Sequence, residues 1–263
     1  MDYKTLILEI DERKIAALTL NRPDVHNAMS LEMIRELRKV VGKLNADPEI
    51  RAVILSGSGK SFCAGADLRW MQEIAGQKRE DRIAEATELS EMLGELDQLN
   101  KPLIGRINGL SFGGAVGLIA CCDIAVAVEG ALFSLTEVLL GLLPATISPF
   151  VLRRIGPSNA RRVMLNAHRF SAEEAVNLGL ISIAVSADKL DEAIEKEINE
   201  LLRCAPEAVS ATKRLIAEVR GKEPADVRSA TIEKLANAWE SESIKEGLDA
   251  FFSKRKPVWN PDA

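Results

Sequence analysis

Histidine and cysteine are both scarce in this 263-residue chain, with two of the first, His26 and His168, and four of the second. Neither histidine has a serine beside it in a nucleophile-elbow setting, so serine–histidine hydrolysis lacks a sequence signature. Cys63, Cys121, Cys122 and Cys204 have no zinc spacing, and the adjacent pair suits neither a metal nor an ordinary disulfide framework. Reduced, mostly buried thiols in a cytoplasmic protein are the expectation. Positive charge is in deficit: 34 lysines and arginines against 39 acidic residues leave a net charge of −5. Non-specific nucleic-acid binding is therefore not expected, although a local basic patch is compatible with the balance. Long apolar runs are missing too. Residues 109–122 are too short to span a membrane and residues 138–152 contain two prolines. The first residues lead into a strand pattern, so neither a signal peptide nor an arginine-rich transit segment is expected.

What is present suits a packed core. Hydrophobic residues make up 47% and charged residues 28%, which fits one large domain or a core with a smaller appendage. The most informative stretch is 100–128. It reads as a strand over 103–107, a small-residue turn, an apolar helix over about 113–122, and a second β-branched run over 124–128. At such a strand–turn–helix junction unpaired backbone N–H groups gather at the positive end of the helix dipole. Gly113 and Gly114 lack a Cβ, so a ligand oxygen can approach them closely; chain reversal and tight packing explain the same glycines. The spacing does not fit G-x-G-x-x-G, which argues against a dinucleotide fingerprint.

A second small-residue loop, 57–67, follows the strand predicted over 52–56. In α/β folds ligands bind beyond the carboxyl ends of strands, where such loops lie side by side. One N–H group from each loop can then converge on a single oxygen, which is the geometry of an oxyanion hole. Glu137 is the carboxylate in a long apolar neighbourhood of Leu135, Val138, Leu139 and Leu140. Burial would raise its pKa and suit it to proton transfer, whereas an exposed glutamate at a helix start is the alternative.

The remaining pattern is a hairpin over 5–10 and 14–20, and a helix capped by Ser30 with Leu31, Ile34, Leu37, Val41 and Leu44 on one face. A polar segment over 70–80 is expected to be mobile, and a helix follows over 82–99. Short helices are expected over 149–155 and 158–166, a capping box at Ser171–Glu174, and a last strand over 181–185. Beyond 188 only helices are predicted, near 189–203, 206–220 and 224–252. The division is a core over 1–187 and a helical assembly region over 188–263.

Six motifs occur in order: Asn21-Arg-Pro with Asn27-Ala28, Ser61-Phe-Cys-Ala-Gly-Ala-Asp-Leu68, Asn108-Gly-Leu-Ser-Phe-Gly-Gly114, Cys122-Asp-Ile124, Glu137-Val-Leu-Leu-Gly141 and Phe251-Phe-Ser-Lys-Arg255. Together they resemble the crotonase family of enoyl-CoA hydratases and isomerases over about residues 4–256. The resemblance implies an α/β spiral of ββα units with a C-terminal helical trimerisation region, as a homotrimer or homohexamer. It implies a coenzyme A thioester as substrate; no prosthetic group or metal is expected, and the acidic balance and short apolar runs leave neither nucleic acid nor membrane expected as partner. By motif position, the backbone N–H groups of Ala66 and Gly114 would hold the thioester enolate. Ala64, Asp67 and Leu68 would border the adenine and pantetheine of coenzyme A, as would Asp24, Val25 and His26. Lys254 and Arg255, from the same or a neighbouring subunit, would meet its phosphates.

Two-glutamate hydratases of this family carry a glutamate where this chain has Gly117, and only the second, Glu137, is retained. Single-glutamate members include Δ3,Δ2-enoyl-CoA isomerases and a hydratase branch similar to methylglutaconyl-CoA and carboxygeranoyl-CoA hydratases. The 113–123, 67–71 and 144–150 segments look most like that branch. It implies water addition to a branched enoyl-CoA, as in leucine degradation, with isomerisation as the alternative. Trp70, Met71, Leu142 and Ile147 are the expected pocket walls.

Overall fold

The computed structural model describes residues 3–261. The hairpin forms as expected, with β1 (Leu6–Ile10) antiparallel to β2 (Ile15–Leu20) and Leu6 opposite Leu20. Ser30 caps α1 (Leu31–Ala46) by accepting from the Met33 amide at 3.3 Å. The helix buries Met33, Ile34, Leu37, Val40, Val41 and Leu44, the face that the 3.6-residue period defines.

Three similar turns follow. In each, a strand of a large sheet leads to a three-residue strand of a small sheet, and a helical segment returns the chain. The first turn is β3 (Ala52–Gly57), β4 (Ser61–Cys63), α2 (Leu68–Gly76) and α3 (Arg79–Asp97). The second is β5 (Leu103–Ile107), β6 (Leu110–Phe112) and α4 (Gly114–Cys121). The third is β7 (Ile124–Val128), β8 (Leu132–Ser134), a 3-10 turn at Glu137–Leu140 and α5 (Ser148–Met164). Strand β9 (Phe170–Ser171), helix α6 (Ala172–Asn177) and β10 (Ile183–Val185) close the spiral. The large sheet runs β1-β2-β3-β5-β7-β10 and the small one β4-β6-β8-β9. From β2 to β10 the large sheet is parallel, so β3 and β5 present their carboxyl ends on the same side.

Four helices end the chain: α7 (Leu190–Leu202), α8 (Pro206–Val219), α9 (Pro224–Trp239) and α10 (Glu242–Phe252). Helix α7 lays Leu190, Ile194, Ile198 and Leu202 against Ile15, Ala52, Ile104 and Val126, covering one face of the large sheet. The architecture is the α/β spiral of ββα units expected from sequence.

Several local readings needed correction. Residues 70–80 are not a loose segment: Asp67 caps α2 by accepting from the Arg69 amide at 2.9 Å. Trp70 is buried there and donates Nε1–H to Glu85 at 2.5 Å. The expected helix over 224–252 breaks after Trp239, and Ser241 starts α10 by accepting from the Ile244 amide. Strands β4 and β6 read as loops in sequence because three residues carry too little alternation to register. Among the thiols Cys63, Cys121 and Cys122 are buried and Cys204 is exposed. Burial pushes the pKa of Cys63 up to about 12, so it stays a protonated thiol.

Candidate active site

The two small-residue loops do meet. Gly65 adopts φ +93°, and a Cβ placed on it would lie 2.9 Å from the Phe112 carbonyl oxygen and 3.7 Å from the Gly113 Cα. The first loop is held there by the 21–30 segment. Asn27, fully buried, donates to the Ser58 and Ser61 carbonyls at 2.8 and 2.9 Å and accepts from the Arg22 amide at 2.9 Å. The Ala64 amide donates to His26 O at 2.9 Å, and Arg22 pairs with Asp67 at 2.8 Å.

Met29 donates its amide to Gly65 O at 2.7 Å and accepts from the Asp67 amide at 2.9 Å, a one-residue parallel bridge opposite Ala66. In that pattern the flanking residues bond the partner, and the N–H of the opposed residue faces away. The Ala66 amide accordingly has no internal acceptor among the described residues.

The second donor sits at the start of α4. Gly113, at φ +52° and ψ −122°, donates to Ser134 O at 2.8 Å and turns the chain into the helix. A left-handed φ of this kind is strained for a residue with a side chain. Gly114, the first residue of α4, has an amide outside the intrahelical ladder and without another acceptor among the described residues. Both candidate donors therefore carry free N–H groups in adjoining loops.

Glu137 lies against this junction. Its Oε1 is 3.2 Å from the position of a Cβ on Gly113, and its Oε2 is buried with no hydrogen-bond partner. Desolvation, only partly opposed by its own backbone N–H, raises its carboxyl pKa above the ordinary value. Asp67 is the opposite case. Burial alone would raise its pKa, but the Arg22 guanidinium and the Arg69 and Trp70 amides outweigh it and hold the carboxyl below the usual range.

A further contact explains the departure at position 117. Gly117 is buried in α4, and a Cβ there would overlap Ile147 Cγ2 and stand 2.8 Å from Ile147 Cβ. Ile147 fills the space a second carboxylate would need. Trp70 is buried within α2, while Leu142 is exposed beyond the Glu137 turn.

The coenzyme-side candidates separate into two groups. Asp24, Val25, His26, Ala64 and Leu68 lie on the two stitched segments, with Val25 and Leu68 exposed. Asp67 is only 7% exposed and its carboxylate is engaged by Arg22, so the side chain is not available to a ligand. Lys254 and Arg255 lie elsewhere. The tail after α10 is fixed by Trp259 Nε1–H to Arg203 O and by Arg51 to Trp259 O, at the amino end of β3. The loops sit at its carboxyl end, about 20 Å away for six residues of strand. Arg255 is moreover paired with Glu246 at 2.6 Å and Asp249 at 2.5 Å. Within one chain neither residue is brought to the site.

Sequence reading missed three features. His26 does face a serine: its Nδ1 is 3.0 Å from Ser61 Oγ, although Ser61 is a buried strand residue outside any elbow. The Arg22–Asp67 pair and the double role of Met29 also went unseen, since each joins positions more than 35 apart that no local pattern links. No group of three or more potential metal ligands occurs among the described residues, and no helix there is long and apolar enough to cross a membrane.

A spiral of this kind, with two free amides in adjoining loops and a half-buried carboxylate against them, has the parts to hold an oxyanion beside a proton-transfer group. Residues 11–262 match the enoyl-CoA hydratase/isomerase family, and the chain belongs to it. It is 33% identical over 264 residues to the short-chain-enoyl-CoA hydratase of Clostridium acetobutylicum, covering 97% of each. It is 32% identical over 255 residues to the mevalonyl-coenzyme A hydratase sidH of Aspergillus fumigatus, covering 94% of this chain and 92% of that one. A crystal structure of an enoyl-CoA hydratase from Shewanella pealeana superposes with a TM-score of 0.94 at 39% identity, over 98% of this chain and 97% of the other.

Proposed function

We propose that the protein adds water reversibly across the α,β double bond of an enoyl-CoA, with a branched, methylglutaconyl-like acyl group as the preferred substrate. The observation that carries this reading is that the loops bearing the free Ala66 and Gly114 amides adjoin, and that Glu137, with its buried and unpartnered Oε2, lies against Gly113 at that junction. The thioester oxygen sits between the two N–H groups. Glu137 takes a proton from water as the water oxygen bonds to the β carbon. The π electrons move onto the thioester oxygen as an enolate, which the amides stabilise by about 3–4 kcal/mol each. The enolate then collapses and its α carbon receives a proton, with Glu137 returned to its starting state. The elevated pKa of Glu137 suits a group that both accepts and gives a proton near neutrality.

Coenzyme A lies along the rim formed by Asp24, Val25, His26, Ala64 and Leu68, with the Asp67 contribution coming through its main chain. Lys254 and Arg255 reach phosphates only from a neighbouring copy. Apolar exposure supports such an assembly: α8 and α9 bury no residue, and Phe251 and Phe252 are 76% and 77% exposed. We read residues 188–263 as the assembly region of a cytoplasmic trimer or hexamer, with α7 serving also as cover for the core sheet.

The second reading is Δ3,Δ2-enoyl-CoA isomerisation, favoured by the seating of Ile147 on Gly117, which leaves Glu137 without a second carboxylate. The deciding experiment follows a panel of 2-enoyl-CoA esters (crotonyl, methylglutaconyl, carboxygeranoyl) by loss of the conjugated chromophore, with a 3-enoyl-CoA ester as control. Loss with the 2-enoyl esters supports hydration. Appearance of a chromophore from the 3-enoyl ester alone assigns isomerisation.

A further inference from the structure

One residue touches both donor loops without belonging to either. Met29 is 1% exposed and stands between two anchored neighbours, the fully buried Asn27 and the α1 cap Ser30. Its main chain makes both hydrogen bonds of the bridge to Gly65 and Asp67, which fixes where the Ala66 amide points. Its side chain runs to the other loop, where the Cε methyl occupies the space a Cβ on Gly114 would take, with Sδ 3.9 Å from that point. The glycine at 114 is therefore matched to a methionine methyl. Tight packing, one of the two explanations the sequence left open for this glycine, is what the Met29 methyl requires at position 114.

We propose that Met29 is a positioning residue that sets the gap between the two amide donors. It does so by holding Ala66 through its main chain and Gly114 through its terminal methyl. The proposal rests on the oxyanion reading given above. Gly65 against Phe112 fixes how closely the two backbones approach; Met29 fixes the donors beyond that contact, Ala66 next to Gly65 and Gly114 two residues after Phe112. Methionine is unbranched and adapts readily in a core, so its length rather than its shape is the quantity the site uses.

The test compares Met29→Ala, Met29→Leu, Gly114→Ala and the double variant Met29→Ala/Gly114→Ala. Misplacing a reacting group by about 1 Å costs on the order of 10²-fold in rate, so Met29→Ala should lose about that much in kcat with KM nearly constant. Gly114→Ala, whose new methyl displaces Met29, should also lose turnover. The double variant places a methyl where the methionine methyl was removed, so it should recover turnover relative to Met29→Ala, a non-additive outcome. A spectroscopic readout accompanies the rates. A conjugated 2,4-dienoyl-CoA absorbs further to the red when two donors polarise its carbonyl, and that shift at saturation should shrink in Met29→Ala. Met29→Leu, one bond shorter and similar in volume, should show an intermediate shift and serves if the alanine variant does not fold. An unchanged shift in both Met29 variants, or losses that simply add in the double variant, overturns the proposal. A wild type that binds the dienoyl ester without any shift removes the oxyanion reading itself.

Discussion

Helix α4 and helices α8 and α9 are built on opposite plans. From Ala115 to Cys121 every residue of α4 is buried, so the helix is packed all round and its first amide cannot drift. Helices α8 and α9 bury no residue, and Ile216, Ile232, Leu235 and Trp239 are all at least 60% exposed. The helix at the site is completed by its own chain. The helices at the end of the chain carry apolar faces that their own chain leaves uncovered, as the proposed assembly of copies requires. Chemistry needs a fixed donor, and assembly needs an unsatisfied surface.

The same division appears in two carboxylates of the site. Asp67 is paired, and Glu137 has a buried oxygen with no partner. The depressed pKa of Asp67 adds stability that is complete above the unfolded carboxyl value and is lost as pH falls through the folded one. The raised pKa of Glu137 works the other way. Its ionisation costs stability as pH rises from the ordinary carboxyl range through the raised value. One carboxylate braces the loop, and the other is kept reactive at the expense of stability.

The largest effect expected is from Glu137→Gln, which should lower kcat by about 10²–10⁴-fold while acyl-CoA dissociation constants stay close to wild type. Retained turnover in steady-state assays would move proton transfer to another group. The same variant should melt higher than wild type at pH 8, with the gap closing on acidification below the ordinary carboxyl range. Equal melting at all pH values would contradict the raised pKa.

Gly117→Glu should destabilise the fold by about 1–3 kcal/mol, because Ile147 already fills that space. Pairing it with Ile147→Ala should recover part of the loss in thermal melts, and no recovery would remove the steric account of the missing glutamate. Asp67→Asn should cost about 1–3 kcal/mol through its bond to Arg22, read as a lower denaturation midpoint at pH 7. Smallest for the isolated chain is Phe251→Ser with Phe252→Ser. Sedimentation should show a smaller assembly with little change in helix content; an unchanged assembly would place the subunit contact elsewhere.

Much of this was legible in sequence where a local pattern carries it. Ser30 before an apolar stripe gave α1, and two β-branched runs flanking Gly113–Gly114 gave β5, α4 and β7. Glu137 stood out because its neighbours are all apolar. Contacts across the chain were not legible. Nothing near Met29 signals Gly114, 85 positions away, and nothing near Gly117 signals Ile147. Polar residues in 70–80 hid α2, a nine-residue helix whose apolar stripe is too short to stand out and which the Asp67 cap and buried Trp70 anchor. The ion pairs of Arg255 with Glu246 and Asp249 are set by the fold of the tail, and its motif, which placed it near phosphates by resemblance alone, carries no sign of them.

The most direct test of the paired-amide account is the thioester carbonyl stretch of a bound enoyl-CoA, read by infrared difference spectroscopy in wild type and Glu137→Gln. Two converging N–H donors should lower the frequency well below that of the free ester in both proteins, with turnover surviving only in the wild type. A bound ester vibrating at its free-solution frequency would contradict the account.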